Sequence, residues 1–156
     1  MKTYIKQKLR ESLEYISPDR EQFSTLYHGT DINSAINMRD HGIDVTKSTG
    51  GYFGVGFYTT PDLKLAKSNY ADFAYEEEIE APGAIVEVRV KPEANILDLR
   101  NSDDWDMYQP HARGVHDRNF YKKAISLGID GLWDNSFEGV IIYNTDIIEF
   151  VRIHNL

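Results

Sequence analysis

The sequence predicts an α+β fold, because helical and strand-like patterns fall in different parts of the chain. In the early segments, apolar residues recur at three- and four-residue spacing, which is typical of amphipathic helices. Later, apolar residues alternate with Glu87 and Arg89, which indicates a half-buried strand; the apolar positions are Ala84, Val86, Val88 and Val90. Since helical patterns lie mainly early and strand patterns mainly late, we expect α+β rather than a parallel sheet of βαβ units.

The first elements are predicted from periodicity and from residues that begin or end helices. The pattern predicts an amphipathic helix over residues 1–16 with a narrow apolar stripe, and we favour its packing on the core over docking to a partner or membrane. A strand over 23–28 follows. Asp31 is then suited to cap a helix over 32–40 that Gly42 ends.

The remaining elements follow in the same way. Pro61 and Asp62 begin a helix that carries Leu63, Ala66 and Tyr70 on one face. Residues 101–114 are predicted to be irregular, and a helix is expected over 116–127. Short strands are expected at 57–59, 84–90, 96–99, 132–133, 140–143 and 147–153.

Composition restricts the classes of function. The 156 residues suit a single domain over 1–156, with an N-terminal helix (1–17) and a core (24–153). A net charge of −8 argues against an extended nucleic-acid-binding face. Cysteine is absent, which excludes thiolate metal sites, and the histidines lack paired zinc spacing, so no metal is expected. No membrane-spanning run or secretory signal is recognisable, and we expect a cytoplasmic location.

Two separated motifs carry the candidate chemistry. In His28-Gly29-Thr30, a glycine that follows a histidine allows backbone N–H and C=O groups to approach a flat ligand closely. In the segment 51–58, closely spaced glycines lead to Tyr58, whose ring can stack on a cationic pyridinium. Alone, each motif is equally compatible with structural packing.

Taken with the helix around Ala66 and Tyr70, these motifs resemble the His-Tyr-Glu branch of the ADP-ribosyltransferases, the poly(ADP-ribose) polymerase-like and diphtheria-toxin-like enzymes. The resemblance implies a split pair of antiparallel β-sheets with flanking helices, and NAD bound as substrate in the crevice between them. It implies that His28 binds a ribose of NAD, that Gly29 clamps the carboxamide, and that Tyr58 and Tyr70 sandwich the nicotinamide. It extends the NAD-binding set to Thr30, Gly54, Gly56, Ala66 and Ser68.

The third member of the triad is assigned to Glu138, which lies between a polar turn and an apolar strand. The preceding segment 127–132 resembles the one that precedes this glutamate in bacterial members, whereas Gly139 departs from the large residue that is more usual there. A carboxylate at this position would stabilise positive charge that develops on the ribose as nicotinamide leaves. Glu138, His28 and Tyr58 are therefore the predicted catalytic residues.

The resemblance implies mono-ADP-ribosylation of a macromolecular acceptor, with a protein as the preferred class, in the cytoplasm of the producing cell or of a host. Several alternatives stay open: an NAD glycohydrolase, a relative of the RNA 2′-phosphotransferases, and a catalytically silent module that binds NAD, ADP-ribose or a protein. An arginine-specific transferase is disfavoured, because no Glu-x-Glu pair precedes the late strand. Five residues between 98 and 118 are candidates for the acceptor site, with contact to the NAD pyrophosphate as the alternative for Arg113: Trp105, Tyr108, His111, Arg113 and His116.

Overall fold

The computed structural model describes residues 15–19, 23–48, 50–134 and 139–156. The predicted N-terminal helix lies outside these residues except for its last positions, and 15–17 are not helical. Glu138 also lies outside them. Within the described residues, seven strands form two sheets and are accompanied by four α-helices and three short 3-10 turns.

The first half of the described chain alternates strands and helices. Its elements are β1 (Thr25–Asp31), α1 (Ile32–His41), β2 (Phe57–Thr59), α2 (Leu63–Glu76) and β3 (Gly83–Val90), with a 3-10 turn at Val45–Lys47. Local residues explain the helix boundaries. The Asp31 side chain accepts the Ser34 N–H, Asp62 accepts the N–H groups of Lys64 and Leu65, and Gly42 ends α1 at φ +89°.

The second half is richer in strands but retains two helices. Its elements are β4 (Ile96–Asp98), α3 (Ser102–Tyr108), α4 (Phe120–Ser126), β5 (Gly131–Asp134), β6 (Gly139–Ile142) and β7 (Ile148–Asn155), with 3-10 turns at Gln109–Gly114 and Thr145–Ile147. The prediction of an irregular segment over 101–114 was therefore wrong. Asn101 accepts the N–H groups of Asp103 and Asp104 and caps α3, and two acidic residues stabilise its first turn. Helix α4 is shorter than the helix expected over 116–127.

The two sheets have different strand arrangements. The first has the order β1-β3-β7 and is antiparallel throughout. The second has the order β2-β6-β5-β4, in which β4 and β5 run parallel. The expectation of two antiparallel sheets thus needs correction for this pair, because α3 and α4 carry the chain back so that β5 starts at the same end as β4. The α+β class is confirmed.

One apolar cluster joins the inner faces of both sheets. Leu26, Val86 and Val88 from the first sheet are in the same buried cluster as Phe57 and Ile142 from the second. On its other face, β6 places Ile141 in a second cluster, with Phe120 and Ala124 of α4. Helix α2 lies on the outer face of the first sheet. Among the described residues, no helix is long and apolar enough to cross a membrane.

Candidate functional site

A cavity of about 240 Å³ opens between the two sheets, at the place where β1 and β2 come together. The Tyr27 N–H donates to the Thr60 carbonyl at 2.8 Å, and the Thr60 N–H donates to the Tyr27 carbonyl at 2.9 Å. Helix α2 supplies a third wall. The lining comprises Tyr27, His28, Gly29, Tyr58, Thr59, Thr60, Ala66, Asn69, Tyr70, Phe73 and Gly139.

The structure brings together a core set of the predicted site residues. His28 and Gly29 come from β1, Tyr58 comes from β2, and Ala66 and Tyr70 come from α2. These residues belong to three separate elements, and all of them line the same cavity. Their convergence depends on the Tyr27–Thr60 bridge and on the packing of α2 against β1.

Two of the predicted residues outside the cavity lining are Thr30 and Ser68. Thr30 belongs to β1, opposite Ala84 of β3, and does not line the cavity. Ser68 is exposed, and its hydroxyl donates to the Leu65 carbonyl in its own helix at 3.3 Å. Asn69, the next residue, takes a place in the lining instead, because it is one helical turn before Phe73 and one turn after Ala66.

The two glycines predicted to fold over a ligand are used for packing inside the protein. Gly54 has φ +83°, and a Cβ atom there would lie 2.0 Å from the Val115 carbonyl oxygen. At Gly56 a Cβ would lie 2.6 Å from the Ile141 side chain. Both positions therefore require glycine in order to seat the loop on the protein, and neither lines the cavity.

The ring of His28 is held in a defined orientation. Its Nδ1 lies 2.5 Å from the Tyr58 carbonyl oxygen, which can only accept, so Nδ1 carries a proton. The ring also packs on Phe57, with 4.3 Å between centroids. Burial lowers the pKa of His28, although the bond to the Tyr58 carbonyl opposes this. In the resulting neutral imidazole, Nε2 is a hydrogen-bond acceptor.

Tyr58 connects the cavity to the segment that precedes β2, residues 51–56, which we call the glycine-rich loop. Its hydroxyl accepts the Phe53 N–H at 3.1 Å and donates to the Gly54 carbonyl at 2.7 Å. Burial raises the pKa of Tyr58 to about 12, so the phenol is neutral. The hydroxyl thus fastens the loop, and the ring contributes to the cavity wall.

Tyr70 is packed tightly on the first sheet. A Cβ atom at Gly29 would lie 2.5 Å from the Tyr70 Cβ, and one at Gly83 would lie 2.6 Å from the Tyr70 ring. The Tyr70 hydroxyl is buried and has no hydrogen-bond partner among the described residues. Burial raises its pKa, and the nearby charge of Asp31 adds to this effect. A buried hydroxyl without a partner on a cavity wall is a position where a ligand atom or water is expected.

The backbone of Gly29 is oriented by strand geometry. Tyr27 uses both of its backbone groups for the bridge to Thr60, on the edge of β1 that faces away from β3. Backbone groups two residues apart in a strand point to the same edge. The N–H and C=O of Gly29 therefore also point away from β3, beside the cavity that Gly29 lines.

Sequence reasoning missed several lining residues. Asn69 and Phe73 lie on the same face of α2 as Ala66 and Tyr70, so helical spacing alone would have found them. Thr59 and Thr60 follow Tyr58 directly. Gly139 is the residue after Glu138 in the sequence, and it also lines the cavity.

No group of three or more histidine, aspartate or glutamate side chains is arranged to hold a metal ion within the described part of the chain. Comparison with known proteins found no matching family model, no matching curated protein and no matching solved structure.

Proposed function

We propose that this chain is a mono-ADP-ribosyltransferase that cleaves the bond between nicotinamide and ribose in NAD and transfers ADP-ribose to a macromolecular acceptor, most suitably a protein. The proposal rests on the convergence of His28, Gly29, Tyr58 and Tyr70 on one cavity between two sheets. The resemblance in sequence assigns these same four residues to the binding of NAD. A cytoplasmic location, where NAD is available, fits the same proposal.

The Gly29 backbone is suited to the carboxamide of nicotinamide. A carboxamide carries both a hydrogen-bond donor and an acceptor. On β1, Gly29 directs its N–H and C=O to the edge beside the cavity, so one residue supplies both complementary groups. Neighbouring residues of β1 have the alternate orientation and bond to β3.

His28 is suited to a ribose hydroxyl. Since Nδ1 donates to the Tyr58 carbonyl and burial favours the neutral ring, Nε2 is left as an acceptor. An acceptor at this point can bind an O–H of ribose. The hydrogen bond to the Tyr58 carbonyl also fixes the orientation of the His28 ring relative to β2.

The two tyrosines supply apolar walls, and α2 supplies polar atoms. Tyr58 contributes an aromatic surface for a flat cationic ring, an interaction worth about 1–2 kcal/mol when desolvated. Tyr70 is fixed against Gly29 and Gly83 and contributes to the cavity wall, and Asn69 supplies polar atoms from the same helix. Ala66 leaves room because its side chain is small.

The catalytic carboxylate is assigned to Glu138 through its resemblance and through the next residue, Gly139, which lines the cavity. Its role would be to stabilise the positive charge that develops on the ribose as nicotinamide departs. We expect Glu138→Gln to lower the rate of nicotinamide release by about 10²–10³-fold. Glu93→Gln, at an exposed turn outside the cavity, is the matched control and should keep wild-type activity.

The test measures nicotinamide release and follows adenine-labelled NAD in the presence of cell extract. Release together with label bound to a macromolecule supports the proposal. Release with only free ADP-ribose, at high turnover, would identify an NAD glycohydrolase instead. If the wild type and Glu138→Gln were equally inactive with NAD and extract, the chain would be a binding module and the proposed enzyme activity would be wrong.

A further inference from the structure

A second and larger cavity, of about 440 Å³, lies on the other side of the glycine-rich loop. The loop connects the two cavities, since Phe53 lines this one and Tyr58 lines the first. Helix α3 forms another wall through Trp105 and Tyr108, and Asp134 lies at the end of β5. The proposed NAD chemistry uses none of these residues except through the loop.

Four aromatic rings form a continuous series along this cavity. The centroids of Tyr52 and Phe53 are 5.0 Å apart, those of Phe53 and Tyr108 are 6.3 Å apart, and those of Tyr108 and Trp105 are 5.8 Å apart. Successive rings are inclined by 74°, 69° and 58°. All four rings line the same cavity. We refer to Tyr52, Phe53, Trp105 and Tyr108 as the aromatic cage.

The two ends of the cage are more accessible than its centre. Tyr52 is 75% exposed and Trp105 is 43% exposed, whereas Phe53 and Tyr108 are 4% exposed. Exposed aromatic side chains grouped around one cavity are typical of sites where a partner binds, whereas single exposed ones are ordinary. The cage thus has a buried floor and open walls, which is the form that suits insertion of a side chain from another molecule.

The charges around the cage favour a cation. Arg100 lines the cavity but forms a bidentate pair with Asp98, with Nε–Oδ1 at 2.9 Å and Nη2–Oδ2 at 2.7 Å. Asp134 adds a second carboxylate, whose charge is felt at Tyr108. The lining itself carries the guanidinium of Arg100 and the carboxylate of Asp134. Arg100 is also paired with Asp98, outside the lining, so these three groups together are net negative. The whole chain, at −8, has the same sign.

We propose that the aromatic cage binds the cationic side chain, arginine or lysine, of a basic segment in a partner polypeptide. Aromatic faces attract such cations through their quadrupoles, and the net negative surroundings add a Coulombic attraction. The binding site stands independently of NAD chemistry. That its occupant belongs to the ADP-ribose acceptor rests on the proposed function, and the cation is then a recognition contact rather than the modified group.

The test is an NMR titration that follows the Trp105 indole N–H, with a capped Gly-Arg-Gly peptide as the probe. The matched probe replaces arginine by citrulline, which is planar and similar in shape but uncharged. We expect saturable shifts with the arginine peptide and at least tenfold weaker binding of the citrulline peptide. Tyr52→Ala should weaken binding of the arginine peptide about fivefold or more, as measured from the resonances of the remaining cage residues. Tyr75→Ala, which removes an 87% exposed tyrosine outside the cage, should leave binding unchanged.

Equal affinity for the two peptides, or unchanged affinity in a folded Tyr52→Ala variant, would overturn the proposal. Shifts caused by adenosine monophosphate but not by the arginine peptide would identify a nucleotide site instead. The readout is independent of catalysis. If the wild type binds the peptide but releases no nicotinamide from NAD, only the proposed function fails; if the wild type cleaves NAD and no peptide binds, only this inference fails.

Discussion

At the residue scale, Gly29 contributes both to the cavity and to the packing of helix α2 on strand β1. Its backbone lies beside the cavity, and its missing side chain allows Tyr70 to pack on β1. We expect Gly29→Ala to lower the free energy of unfolding by about 1–3 kcal/mol, because the new Cβ would lie 2.5 Å from the Tyr70 Cβ. Gly114→Ala is the control, since nothing lies within 4 Å of its Cβ position. Urea unfolding measures both, and equal stability of the two variants would contradict the packing argument.

His28 should make stability depend on pH. Burial lowers its pKa in the folded state, so the unfolded chain binds a proton more readily below its ordinary pKa of about 6.5. The folded state is therefore favoured fully above that pH and loses stability as the pH falls below it, by up to about 1.4 kcal/mol per pH unit. Below the lowered folded pKa the loss levels off.

The measurement is urea unfolding at pH 7.5 and 5.5. Between these values we expect the wild type to lose about 1 kcal/mol more than His28→Gln, which has no imidazole to protonate. An identical pH dependence in wild type and His28→Gln would mean that His28 is not held neutral by the fold.

At the scale of elements, α3 is joined to residues 15–17 by one buried carboxylate. Asp104 accepts hydrogen bonds from the hydroxyls of Tyr15 and Ser17 and from the Asp98 N–H. It is fully buried, so water cannot replace these bonds. We expect Asp104→Ala to lower the free energy of unfolding by about 2–4 kcal/mol, because three donors, two of them in buried hydrogen bonds, lose their charged acceptor.

The neighbouring Asp103 provides the control for this prediction. It lies in the same first turn of α3 but is exposed, so Asp103→Ala should cost no more than about 1 kcal/mol through the helix dipole. Hydrogen exchange should locate the effect. Faster amide exchange at Ser17 and Asp98 is expected in Asp104→Ala alone. Uniformly faster exchange in both variants would contradict a local effect of Asp104.

Helix boundaries were predictable where short-range chemistry determines them. Asp31, Gly42 and Asp62 act on N–H and C=O groups within a few residues, and the structure confirms all three boundaries. The same rule identifies α3 from Asn101, although the three aspartates and the proline that follow it are typical of a loop. Helix α4 begins late because residues 116–119 turn before the chain becomes helical.

At the scale of the whole molecule, strand partners were not predictable from local pattern. The parallel pairing of β4 with β5 and the bridge from Tyr27 to Thr60 join residues that are distant in the sequence. Alternation in β3 identified a strand but not its neighbours. The expectation that His28, Tyr58 and Tyr70 converge on one cavity was based on the resemblance, since no spacing rule brings three separate elements together. The packing roles of Gly54 and Gly56 required coordinates.

Because the cavity lies between two sheets that share one apolar cluster, a ligand bound there should stabilise the molecule as a whole. We expect NAD at about 100 times its dissociation constant to add about 2.7 kcal/mol to the free energy of unfolding. For a chain of this length, that corresponds to a rise of roughly 5–10 °C in melting temperature. Glu138→Gln is the form to melt, since it should bind NAD without consuming it.

A matched pair of variants connects this stabilisation to the cavity. In the Glu138→Gln background, Asn69→Trp places a large ring on an exposed position that lines the cavity, whereas Ala71→Trp places the same ring on an exposed position of α2 outside it. Both should melt like the parent without ligand. With NAD, the shift should persist in Ala71→Trp and fall by at least half in Asn69→Trp, because the new ring occupies the space of the ligand. Equal shifts in the two variants would place NAD binding away from the sheet interface and would remove the geometric basis of the proposed function.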